Sequence, residues 1–326
     1  MEEKKTFDIT ALGELLIDFT ENGISDQGNP IMEANPGGAP CNLLAMLTKL
    51  GFHTAFIGKV GQDIFGKQLQ NALDEVGIDR TGLVIDPDVR TTLAFVHTYS
   101  DGDREFSFYR NPGADMMLRP EEVKDSLIAD SNIFHMGTLS MTDPIVREAT
   151  HHAIDLAKKA GCFVSFDPNL RKPLWKKEED AREAFEYGFS VCDVLKIADN
   201  EVLWVTGERD YDSAVAKLQN QYHIPLILLS LGKEGSCAYQ GSSKVFCPAF
   251  IQKNTIETTG AGDTFFGASL AYLLRHNLRL EGEQNLSEML TFANAAASLV
   301  TTRKGALRVM PSEYEIRELI QSRQTC

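Results

Sequence analysis

The chain is short of positive charge. Against 46 aspartates and glutamates it carries 32 lysines and arginines, a net charge of −14, with a pI near 5.0. A protein that grips a nucleic-acid backbone or an anionic membrane needs a basic face, so both classes are disfavoured. Paired cysteines are missing as well. Cys41, Cys162, Cys192, Cys237, Cys247 and Cys326 are scattered with no C-x-x-C spacing, which argues against a disulfide frame or a thiolate zinc site and for reduced packing residues in a cytosolic protein. The histidines, including the adjacent His151 and His152, lack the i, i+4 pairing of a metal-binding helix. No apolar run reaches membrane-spanning length and residues 1–7 contain no apolar signal core, so a soluble, cytoplasmic protein is expected. Two nucleotide motifs are incomplete. Gly61 to Gln68 resembles a phosphate loop but ends on Gln where the magnesium-binding Ser or Thr should stand, and Gly260-Ala261-Gly262 never reaches the third glycine of a dinucleotide fingerprint.

What is present is the rhythm of an α/β enzyme. With 326 residues and 43% hydrophobic content the chain can bury a large core. Short apolar strands at 7–12, 54–57, 133–136, 163–166, 193–197 and 226–230 alternate with amphipathic helices over 42–50, 65–76, 149–160, 178–189 and 286–301, the pattern of a mostly parallel sheet. In the last of these helices Leu290, Ala293, Ala297 and Val300 are expected to face inward, and Ser312 with Glu315 spells a capping box for one more. Residues 91–110 break the rhythm with a hairpin across Ser100-Asp101-Gly102-Asp103. Together with the region about 13–35 it predicts a small β lid, the alternative being an edge hairpin or subunit contact. No repeats or linkers divide the chain, so one domain over 1–326 plus its lid is the simplest organisation.

The stretch Thr258-Thr259-Gly260-Ala261-Gly262-Asp263 leads into the apolar run Phe265 to Ala271. Such a glycine turn at a helix start can aim N–H groups of residues 260–263 and the positive end of the helix dipole at a phosphate. Asp263 beside it is either a general base for an attacking hydroxyl or only the helix N-cap. A second glycine turn, Asn35-Pro36-Gly37-Gly38-Ala39-Pro40-Cys41-Asn42, lies near the other end, followed by Ile57 to Gly66.

With these two stretches the chain resembles the ribokinase-like, or phosphofructokinase-B, sugar kinases over essentially its whole length. Within them it is most similar to plant and bacterial fructokinases through Ala11 to Phe19, Arg104 to Pro112 and Asp167-Pro168-Asn169-Leu170-Arg171. The resemblance implies a three-layer α/β sandwich with a β lid, ATP and Mg²⁺, and phosphorylation of fructose at its 6-hydroxyl. Kinases of 2-keto-3-deoxygluconate, ribose or a nucleoside, and a silent sugar sensor on the same scaffold, are the rivals. It further implies Asp263 as base, and Asp18, Gly37, Gly38 and Asn42 at the sugar, with Phe108 over it. Asn42 read alone could equally cap a helix, and Asp18 end a solvated strand. Arg110 either reaches the substrate or anchors the lid by a salt bridge. Arg171 bridges phosphoryl oxygens unless it pairs with the acidic helix at Glu178.

For the nucleotide, Ser230, Gly232 and Gly235 mark a strand followed by a glycine turn suited to phosphate and ribose contacts, and Lys196 is a cation for phosphate charge. Asn294 matches an adenine-side position of the family but read alone is equally a polar residue on the helix surface. Glu201 is the candidate for holding a magnesium-bound water. Two departures stand out: Ala198 replaces an asparagine common in the family, and Glu257 replaces a shorter residue that helps to hold K⁺ with the 301–305 segment. The longer side chain either reaches the same ion or displaces it. A homodimer through the lid is also implied.

Overall fold

The computed structural model describes residues 5–98, 104–279 and 282–324. Thirteen strands are found among them: β1 (Phe7–Leu12), β2 (Leu16–Ile24), β3 (Pro30–Gly37), β4 (Thr54–Gly61), β5 (Asp79–Asp86), β6 (Leu93–Thr98), β7 (Arg104–Tyr109), β8 (Ser131–Gly137), β9 (Phe163–Asp167), β10 (Val194–Ala198), β11 (Leu226–Ser230), β12 (Gly235–Gln240) and β13 (Ser243–Pro248). The helices are α1 (Ala39–Lys49), α2 (Ile64–Val76), α3 (Asp125–Ala129), α4 (Pro144–Lys159), α5 (Glu178–Val191), α6 (Asp199–Thr206), α7 (Tyr211–Tyr222), α8 (Ala261–Arg275), α9 (Gly282–Val300) and α10 (Glu313–Gln324).

Nine strands form the large sheet in the order β13-β12-β11-β10-β9-β8-β1-β4-β5. The seven from β11 to β5 are parallel to their neighbours. Their residues alternate between two buried faces. Ile9 and Ala11 point to the layer of α1, α2, α8, α9 and α10, while Leu12, Phe134 and Met136 point to the layer of α3 to α7. This is the expected three-layer α/β sandwich. Val194 and Leu228 belong to the first layer, Leu195 and Ile197 to the second, so Lys196, between them, is turned toward α8. Phe56, Phe134, Phe166 and Phe266 are fully buried, each contributing about 1.5–3 kcal/mol by burial.

The second sheet has four strands in the order β3-β2-β6-β7, and is the small β sheet expected from 13–35 and 91–110. β2 runs parallel to β6, so the two arms of the chain share one surface. Phe19 and Phe95 stack across them at 4.9 Å between ring centres, and Phe19 meets Phe65 of α2 edge-on. The turn expected at 100–103 lies outside the described residues, as does Cys326.

Expected helix stops are in place: Gly77 ends α2 at φ 83°, and the Ser312/Glu315 capping box opens α10. Other features were not foreseen. β5, α6 and α7 extend the βα series, and the antiparallel β12–β13 hairpin closes one edge of the sheet. Leu290, Ala293 and Val300 are fully buried as expected, and Ala297, half-buried, packs against the same core. The five described cysteines are buried and free of disulfides. Among the described residues no helix is long and apolar enough to cross a membrane.

Candidate active site

A cleft of about 360 Å³ opens between the lid and the carboxyl edge of the large sheet. Parallel strands deliver their C-terminal ends to one edge, and the side chains there converge where loops leave the sheet. Asp18 and Phe108 enter the cleft from the lid, Gly38 and Asn42 from the start of α1, Lys196 from β10, and Gly260 to Asp263 from the start of α8. Arg171 and Asn169 come from the loop after β9.

Asp263 is not a helix cap. The N-cap of α8 is Gly260, at φ 75°, with no side-chain capping bond. Asp263 stands in the first turn, half-buried, and its Oδ2 accepts a hydrogen bond from Asn42 Nδ2 at 2.8 Å. Asn42 likewise caps nothing: its own N–H already bonds the Gly38 carbonyl inside α1 at 2.9 Å, and its side chain crosses to α8. Burial lifts the Asp263 pKa, and the Asn42 bond, Lys196 and Arg171 counter it. The result is a carboxylate more basic than usual, facing a helix N-terminus whose first N–H groups have no intrahelical acceptor. Of these the Ala261 N–H is bound to the Thr258 carbonyl at 3.2 Å, so the donors expected over 260–263 exclude that one.

Lys196 is buried against the glycine turn. A Cβ on Gly262 would stand 3.1 Å from its Nζ, so glycine is what lets the cation lie under the backbone there. It pairs with Asp167 at 3.0 Å. Burial works against the ammonium, but Asp167, Glu201 and Asp263 outweigh it and raise its pKa, so it stays charged. Asp167 itself is pushed up to about 6, first by burial and against the pull of Lys196.

Asp18 is no solvated strand end. It is half-buried within β2, opposite Asn35 of β3. A Cβ on Gly37 would collide with its carboxylate, which explains the first glycine of the pair. Burial raises its pKa to about 7, with Arg171 pulling down and Asp263 and Glu257 pushing up. Gly38, at φ 128°, passes so close to the Glu14 carbonyl that no side chain fits. Arg171 lines the cleft, and the Glu178 carboxylate that would have competed for it is bound by Arg182 at 2.9 Å.

Several expected residues lie elsewhere. Arg110 is buried and does not line the cleft: it pairs with Asp115 at 2.6 Å and donates to Thr142 and to the Leu139 carbonyl. Its guanidinium ties the end of the lid strand to the body of the protein instead of lining the cleft. Asn294 is buried between Ser236 and the Cys247 carbonyl, stapling α9 to the β12–β13 hairpin, and is neither in the cleft nor on the helix surface. Gly235 is a glycine because its Cβ would strike the Cys247 carbonyl. Ser230 and Gly232 sit on the same carboxyl edge, Ser230 beside Ala198, outside the cleft lining. Glu201 spends one oxygen on the Leu170 N–H at 2.6 Å and the other on the Ala198 N–H at 2.9 Å. It clamps the Arg171 loop. Glu257 accepts the Gly305 N–H at 2.7 Å, closing the two segments expected to flank a monovalent cation.

Asn169 and Glu14 are among the cleft residues to which the sequence assigns no role. Asn169 lines the cleft in a left-handed conformation at φ 50°, which asparagine tolerates; its place in Asp167-Pro168-Asn169 was the available signal. Glu14 is 4% exposed, and its Oε1 receives the Ala39 N–H at 2.8 Å.

A buried lysine, a helix start built on Gly-Ala-Gly-Asp and a carboxylate held by an asparagine thus stand together in one cleft, a combination of cation, free N–H groups and base that phosphoryl transfer calls for. The family model for pfkB family carbohydrate kinases matches residues 6–313. This chain belongs to that family. As a carbohydrate kinase it is similar to probable fructokinase-4 of Arabidopsis thaliana, 39% identical over 315 residues that cover 96% of each chain. Fructokinase-2 of Solanum lycopersicum is also 39% identical, again over 96% of each. Among solved structures, the fructokinase of Xylella fastidiosa with bound ATP superposes with a TM-score of 0.87 at 30% identity, covering 97% of this kinase and 98% of that chain. A double mutant of the Vibrio cholerae O395 fructokinase, solved with fructose, ADP and potassium ion, gives 0.86 at 26% identity over 97% and 99%.

Proposed function

We propose that this kinase is an ATP-dependent fructokinase that moves the terminal phosphoryl group of ATP to the 6-hydroxyl of D-fructose. The observation that carries it is the Asn42-held carboxylate of Asp263 in the first turn of α8, facing Asp18 and Arg171 across one cleft. Asp263 takes the proton of the attacking hydroxyl, and its raised pKa suits that work. The N–H groups at the start of α8, with Arg171 and Lys196, stabilise charge on the transferring group. Asp18 and the Gly37-Gly38 turn hold sugar hydroxyls, and Phe108 covers them from the lid.

ATP lies along the carboxyl edge beyond Lys196, toward Ser230 and Gly232. Among the described residues no three His, Cys, Asp or Glu side chains gather as metal ligands, which suits a Mg²⁺ carried by the nucleotide phosphates. When bound, that ion neutralises phosphate charge. K⁺ is dispensable here, because the Glu257 carboxylate already ties Gly305 in place. Exposed Ile24, Ile31 and Tyr109 on the lid support pairing of two lids in a homodimer.

A 2-keto-3-deoxygluconate kinase would want a free cation for the acid group, and the Arg110 guanidinium is committed to Asp115. Steady-state ADP release measured with fructose, ribose and 2-keto-3-deoxygluconate tests the reading. Fructose should give the highest kcat/KM, and preference for either other sugar would overturn it.

A further inference from the structure

Beside Asp263, adjoining the cleft and sharing Glu14, Ala39, Leu139, Asn169 and Asp263 with its lining, is a small chamber of about 10 Å³. Its polar lining is Glu14, His135, Asp167, Asn169 and Asp263. A space that size admits one water, and a polar lining of this kind keeps it wet. Glu14 and Asp263 both line this chamber and the cleft, so a water in the small space has the two carboxyl groups among its walls.

We infer that Glu14 is the proton acceptor for the catalytic base, reached from Asp263 through one water held in the chamber. The inference rests on Asp263 acting as the base. In that role the Asp263 carboxylate gains one proton for each hydroxyl that attacks phosphorus, and must lose it before the next turnover. The Asp263 O–H passes its proton to the chamber water, the water passes one of its own to the Glu14 carboxylate, and Asp263 is regenerated as the anion. No electrons move, and the proton leaves Glu14 to solvent when the lid opens.

The other groups that face Glu14 are unsuited to the task. Arg110 is bound to Asp115, which also faces Glu14. His135, from β8, bonds Ser165 through Nδ1, and burial holds its pKa down to about 3. Asp167 is paired with Lys196, and Cys41 is a buried thiol pushed well above the ordinary range by burial. Glu14 alone combines a place in the chamber with a pKa that burial has raised to about 7, so at neutral pH it can accept a proton and give it back.

The test is Glu14→Gln in the full-length enzyme. The glutamine carbonyl can still receive the Ala39 N–H, so KM for fructose should stay within about twofold while kcat falls about tenfold. The acid limb of the kcat profile, which in the wild type requires both Asp263 and Glu14 to be ionised, should lose the Glu14 step and keep that of Asp263. A variant with wild-type kcat and pH profile would overturn the relay, and so would a raised KM with an unchanged profile, which would leave Glu14 only holding the Ala39 turn. If the variant misfolds, infrared difference spectra of wild-type enzyme carrying ¹³C-labelled glutamate decide: a labelled carboxylic acid band titrating near neutrality supports the relay, and its absence overturns it. Failure of the parent reading looks different, because Asp263→Asn would then retain turnover.

Discussion

The side-chain amide of Asn42 donates to Asp263 at 2.8 Å, joining two residues 221 positions apart. α1 and α8 lie side by side on one face of the sheet, and that packing brings their first turns together. A base fixed in this way has both its direction and its proton affinity set by a neighbour.

Asp263→Asn removes the base while keeping the shape of the turn. kcat should fall by at least about 10²-fold, on the scale of general base catalysis, with little change in KM for either substrate. Coupled ADP release is the measurement, and near-normal turnover would refute the assignment.

Asn42→Ala takes away the strongest of the contacts that lower the Asp263 pKa. The Asp263 pKa should then rise further, so the acid limb of kcat moves to higher pH. A kcat profile across neutral pH reads the shift directly, and an unmoved limb would mean that the pair does not tune the base.

Arg110→Met strands the Asp115 carboxylate in the interior, where the two side chains are now 3% and 2% exposed. Breaking one partner of a buried pair costs about 3–5 kcal/mol, which denaturant unfolding would register. If Arg110 were instead a sugar ligand, KM for fructose would rise with stability intact.

Gly267→Ala places a methyl group 2.9 Å from both the Leu43 carbonyl and Met46 Cβ. Overpacking between α1 and α8 should cost about 1–3 kcal/mol and lower Tm, and because Asn42 and Asp263 ride on those helices, kcat should drop as well.

Glu257 predicts that rates are equal in K⁺ and Na⁺ salts. Glu257→Asp should release the Gly305 N–H, now held at 2.7 Å, and bring out a dependence on K⁺. Strong K⁺ activation of the wild type would show that the carboxylate reaches the ion rather than replacing it.

The parallel core was legible because its strands are short, apolar and bounded by glycines that end helices. β12 was not: Gly235 to Tyr239 is buried on both faces, leaving no alternation to read. The glycine turn before α8 and Asp263 beside it were legible because their signals are local. The surroundings of Asn294 and Glu201 were not legible, for the opposite reason. Each is defined by distant backbone groups, the Cys247 carbonyl for one and the Leu170 N–H for the other, and no spacing rule exposes such partners. Glu14 was overlooked for a like reason, since only folding carries it to Ala39.

The arm formed by β2 and β3 leaves the body at Leu16 and returns at Gly37, with those two residues paired in register. Its root therefore carries Asp18 and the glycine turn, while its tip between Ile24 and Pro30 touches neither. That separation makes the tip a graftable handle: it can be lengthened, shortened or exchanged without disturbing the cleft wall that Asp18 and Gly38 form at the root.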